Sequence, residues 1–79
     1  MDMFIKLYNV VEDEYVFLNK NDIEFISVKD NVAGIVMNTS YINVHFLEDK
    51  GIHLFMRAIE GLLYETPRVT INFVKGEDK

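Results

Sequence analysis

Hydrophobic and polar residues alternate with a period of two through the first half of the chain, the spacing of strands whose side chains point to opposite faces of a sheet. Met3 to Val10 predicts a first strand, with Ile5 and Leu7 on one side and Phe4, Lys6 and Tyr8 on the other. Glu12-Asp13-Glu14 breaks it as a solvated turn, and Tyr15 to Leu18 predicts a second strand. Asn19-Lys20-Asn21-Asp22 is dense in residues that bond their own backbone, so the chain turns again. Ile23 to Lys29, Val32 to Met37 and Tyr41 to Phe46 predict three further strands, separated by Asp30-Asn31 and Asn38-Thr39-Ser40. Gly34 lies inside the fourth, where a glycine marks a bulge or a close backbone approach.

The period then changes. Ile52, Phe55, Met56, Ile59, Leu62 and Leu63 recur at helical spacing, which predicts an amphipathic helix over about 50–64. Lys50, His53, Arg57, Glu60, Gly61 and Tyr64 fall on its outer side, and Asp49 is the candidate N-cap. Pro67 stops the segment by disfavouring helical geometry at Thr66. Arg68 to Val74 alternates again as a sixth strand, and residues 75–79 read as a frayed tail. The expected fold is one α+β domain over residues 1–79. It comprises an antiparallel five- to six-stranded sheet, twisted or curled, with one C-terminal amphipathic helix packed on it.

Counting the two faces of that sheet changes the picture. One offers Ile5, Leu7, Val16, Leu18, Ile26, Val28, Ile35, Met37, Ile42, Val44 and Phe46, which a single helix can largely cover. The other offers Phe4, Tyr8, Tyr15, Phe17, Ile23, Phe25, Val32, Val36 and Tyr41, interrupted by Lys6, Ser27, Asn43 and His45. An antiparallel sheet with one wet face reads apolar-in, polar-out, and this one does not. The second face is closed by curling into a small barrel, by a second copy, or by a different protein.

Composition sets bounds on the chemistry. Seventy-nine residues without cysteine exclude a disulfide staple and a thiolate metal site, while 49% hydrophobic residues exclude a disordered chain. No apolar run approaches the ~18 residues of a membrane span, and the first residues lack a basic signal region, so the expectation is a cytoplasmic protein without membrane contact. A net charge of −5 argues against direct binding to a phosphate backbone.

His45 and His53, with Glu48 and Asp49 nearby, lack the spacing of a helical metal pair. Ser27 and Ser40 stand on no strand-turn-helix elbow. The paired carboxylates at 12–14, 48–49 and 77–78 fall in turns or the tail, where solvent keeps them ordinary. The expectation is a protein with no enzymatic activity, no metal and no cofactor.

Ile5-Lys6-Leu7, then Leu18-Asn19, then Ile23-Glu24-Phe25-Ile26, followed by further strands and the helix at Ile52 to Leu63, resembles the layout of the small flagellar/swarming domain of the FlbD–SwrD type. That resemblance runs from Phe4 to about Tyr64 and implies the same strand-rich fold with a helix behind it. It carries over no catalytic residue.

The functional expectation is therefore a small protein-binding module, regulating or inhibiting a larger protein assembly and pairing as a homodimer. Its contact surface is expected at Phe4, Tyr8, Tyr15, Phe17, Phe25, Tyr41 and His45, with Glu12, Asp13 and Glu14 as an acidic rim suited to a basic or nucleic-acid-binding protein. The alternative is an acidic decoy that mimics nucleic acid, such as a phage-encoded inhibitor of a host defence or nucleic-acid enzyme.

Overall fold

The computed structural model describes residues 3–38, 40–62 and 64–74. Leu63 of the expected helical stripe, Thr39 of the expected turn and the expected tail 75–79 lie outside the described residues. The alternating segments form β1 (Phe4–Asn9), β2 (Glu14–Asn19), β3 (Ile23–Lys29), β4 (Val32–Met37), β5 (Tyr41–Phe46) and β6 (Arg68–Val74). The helix α1 (Gly51–Ile59) lies between β5 and β6. The result is an α+β fold with a single six-stranded sheet in the order β2-β1-β6-β5-β4-β3.

That order corrects the expectation of a purely antiparallel sheet. β6 lies between β1 and β5, antiparallel to β5 but parallel to β1, so the sheet is mixed. Alternation shows which side chains share a face; it carries no information about strand direction. The β1–β6 ladder pairs only Tyr8 with Arg68 and Asn9 with Val69. Ahead of it, the Tyr64 hydroxyl accepts the Lys6 N–H at 3.0 Å, and the Pro67 carbonyl accepts the Tyr8 N–H at 3.0 Å. The loop before β6 thus satisfies the edge of β1 that the strand itself does not reach. Among the described residues β2 and β3 are the two open edges, and the sheet they bound does not close into a barrel.

One face holds the core. Ile5, Leu7, Leu18, Ala33, Ile35, Ile42, Val44, Phe46 and Val69 are buried on it together with Phe55 and Ala58 of α1. Phe46 and Phe55 meet with ring centroids 5.4 Å apart and planes tilted by 53°, a favourable aromatic geometry. Asn9 is the buried polar residue of this face, and its side-chain oxygen accepts the Val11 N–H at 3.2 Å. Ile23 belongs here as well, opposite Met37, and not on the second face as alternation implied. The register slips between Ile23 and Phe25, and the extra residue of such a bulge reverses the face on which the preceding side chain emerges.

The helix also departs from expectation. It spans nine residues and buries Gly51, Phe55 and Ala58, while Met56, Ile59 and Leu62 are exposed. Its N-cap position is Lys50 with no side-chain cap, so Asp49 does not play that part; Asp49 instead accepts from the Asn31 side chain at 3.3 Å. Gly51 and Ala58 let the helix approach closely, since a β-carbon at Gly51 would lie 2.9 Å from the Phe46 side chain. The helix thus inserts Phe55 between two small residues, and Met56, Ile59 and Leu62 fall at the margin of the contact.

Gly61 ends the helix. At φ +77° it occupies the left-handed region, its N–H bonds the Ala58 carbonyl at 3.1 Å, and the next N–H, from Leu62, bonds the Arg57 carbonyl at 2.9 Å. This is the Schellman arrangement, which satisfies the last carbonyls and favours glycine at the left-handed position. Gly61→Ala is expected to lower stability by about 1 kcal/mol, read as a lower urea midpoint with an unchanged slope.

Candidate functional site

The second face of the sheet is the candidate site. The register gathers on it Phe4, Lys6 and Tyr8 from β1, Tyr15 and Phe17 from β2, and Arg68, Thr70 and Asn72 from β6. β5 adds Tyr41, Asn43 and His45, β4 adds Val32, Gly34 and Val36, and β3 adds Phe25, Ser27 and Lys29. Phe4, Tyr15, Phe17 and Phe25 are 51%, 56%, 57% and 60% exposed, whereas Tyr8, Tyr41 and His45 are half-buried. The helix stands on the opposite side, so no described element covers these rings.

The aromatic residues do not form one patch. Phe4, Tyr8, Tyr15 and Phe17 cluster on the β1–β2 hairpin, and Phe25 and Tyr41 flank Val36 at the other end. Between them β6 inserts Arg68, Thr70 and Asn72 beside Asn43 and His45 of β5. The polar band was present in the sequence as the alternating residues of the last strand. A face count limited to the first five strands omitted it.

Within the hairpin cluster the side chains are closely arranged. The Tyr8 and Tyr15 ring centroids lie 5.2 Å apart at 53°, and the Lys6 ammonium sits 4.5 Å from the Tyr15 centroid, within cation–π range. The Tyr8 hydroxyl donates to the Asp13 carboxylate. That hydrogen bond is the main reason the Tyr8 phenol is held above its usual ionisation range. Glu12 and Asp13 lie in the β1–β2 turn at this end of the face. Glu14, expected as part of the same rim, pairs with the buried Asn9 and so belongs to the helix side; the strand begins one residue earlier than the acidic run suggested.

At the other end, Ser27, Lys29, Asp30, Val32, Gly34, Tyr41 and Asn43 line a shallow depression of about 410 Å³. Its floor is Gly34, where a β-carbon would come within 2.9 Å of the Tyr41 hydroxyl. The depression joins hydroxyl, amide, ammonium and carboxylate groups, a surface suited to hydrogen bonding. The cations of the face are Lys6, Lys29 and Arg68, and no Asp or Glu occupies a paired position on it among the described residues.

His45 lies on this face, while His53 is exposed on α1 across the sheet, so the two histidines cannot share a ligand. Among the described residues no group of three or more His, Asp or Glu side chains is placed to hold a metal ion, and no helix is long and apolar enough to cross a membrane. Comparison with known proteins adds no assignment: no protein-family model, no curated protein and no solved structure matches the chain.

Proposed function

We propose that the chain is a small non-enzymatic protein-binding module that regulates or inhibits a larger protein assembly through its open sheet face. The supporting observation is the exposure of Phe4, Tyr15, Phe17 and Phe25, each more than half accessible on a face that no described element covers. Rigid aromatic rings anchor interfaces because they bury much area at little conformational cost. Two aromatic ends separated by a band of asparagine, threonine and histidine give an interface with two anchors and hydrogen bonding between them. The Glu12–Asp13 turn at the hairpin end adds charge that steers a basic protein during encounter.

The test is the double substitution Tyr8→Glu with Tyr41→Glu, one at each end of the face. Both side chains are half-exposed, so the fold should survive, as checked by far-UV circular dichroism. A protein retained from a lysate of the source cell by the immobilised wild type should bind the variant at least about tenfold more weakly. Equal retention would defeat the proposal, and so would loss of the folded spectrum, which would assign these rings to the core.

A further inference from the structure

We propose that the free edge of β2 pairs with β2 of a second copy, joining the two sheets into one across a two-fold axis at Phe17. The inference concerns the edge of the sheet and stands apart from the binding proposal for its face.

The hydrogen-bond pattern shows which groups the edge presents. The Lys20 N–H, just past the end of β2, bonds the Met3 carbonyl at 2.8 Å, so Leu18, Val16 and Glu14 direct their peptide groups towards β1, while the Lys20 carbonyl accepts from the Ile23 N–H in the short 3-10 turn over Lys20–Asp22. Tyr15 and Phe17 direct theirs outward, as does the N–H of Asn19. Unpaired strand edges are templates for further pairing unless blunted by a bulge, a proline or charge. β3, the other edge strand, has a bulge between Ile23 and Phe25 and charges at Glu24 and Lys29. β2 has no bulge and no proline; its residues from Tyr15 to Leu18 are apolar or aromatic.

Charge selects the register. With Phe17 opposite Phe17, the Phe17 pair exchanges both of its backbone bonds, and each Asn19 N–H faces the Tyr15 carbonyl of the other copy. Val16 then faces Leu18 on the helix side, and Glu14 faces Lys20 of the other copy, giving two symmetric ion pairs. Neither Glu14 nor Lys20 has a side-chain partner among the described residues. Stacking two copies face to face through the open faces would instead bring Lys6, Lys29 and Arg68 of both copies into one interface that has no paired acidic residue among the described residues.

An edge contact between two six-residue strands is smaller than the ~1,600 Å² of a standard interface, so the dimer is expected to be weak and concentration-dependent. Sedimentation equilibrium of the purified chain from about 5 µM to about 1 mM should show the mass rising from 9.2 kDa towards its double. Glu14→Lys and Lys20→Glu should each weaken the dimer about tenfold, and the two together should restore it. Phe17→Pro removes an outward N–H without breaking a bond inside the sheet, so it should abolish the dimer while leaving the circular dichroism spectrum intact. A chain that stays monomeric at the highest concentration overturns the inference. So does a dimer that both charge reversals and Phe17→Pro leave unchanged.

Discussion

Phe55→Ala is expected to leave the chain without a cooperative unfolding transition at 25 °C. The ring is fully buried, lies against Phe46, and belongs to the same cluster as the sheet's buried aliphatic residues. Removing a buried phenylalanine costs about 3–5 kcal/mol, from the lost transfer energy and the cavity left behind. A domain of this size rarely holds more than about 3–5 kcal/mol in total, and no disulfide constrains its unfolded state. Urea titration followed by circular dichroism checks this. A variant that keeps a sigmoidal transition with most of its original midpoint would show that the helix contributes little to holding the sheet. Phe17→Ala, by contrast, removes a ring already in water and should move the midpoint only slightly.

Val69→Asp should be as damaging, and Thr70→Asp, one residue on, should be tolerated. Val69 is completely buried, registered opposite Asn9 on one side and Phe46 on the other. A carboxylate there loses its water without gaining a cation, a penalty of several kcal/mol even after the group takes up a proton. The site is also one of only two residue pairs in the ladder joining the β1–β2 hairpin to the rest of the sheet. Thr70 points to the open face opposite His45, where an aspartate reaches solvent. Comparing the two variants by thermal melts should show Val69→Asp unfolded at room temperature and Thr70→Asp folded. If both fold alike, β6 does not occupy the middle of the sheet.

The α+β class, the six strands and the single helix were legible because each rests on local spacing. Strand direction and strand order were not, since they depend on which distant segments meet. β6 shows the cost of that gap. Treated as an extra strand, it left the second face nearly continuous and apolar; between β1 and β5, it divides that face with Arg68, Thr70 and Asn72. The helix shows a different limit. Hydrophobic spacing pointed Ile52, Phe55, Met56, Ile59, Leu62 and Leu63 inward; Phe55 is fully buried and Ile52 packs against the core, but Met56, Ile59 and Leu62 are exposed, while Gly51 and Ala58, outside that stripe, are buried. Gly61 carried a readable stop signal, a glycine shortly after a basic residue, Arg57, in the last turn, that the longer helical pattern obscured. For the site, exposed rings could be anticipated from alternation. The side on which Glu14 emerges could not, because a shift of one residue in where a strand begins decides it.

Among β1 to β6, the strand that completes the sheet is the last to be synthesised. Until β6 has left the ribosome, the hairpin and the three-stranded meander share no backbone ladder, and their greasy sides stay open to chaperones or to neighbouring nascent chains. A chain stopped between β5 and β6 keeps the hairpin and the meander but lacks the strand that hydrogen-bonds them into one sheet, and cellular proteases should clear it.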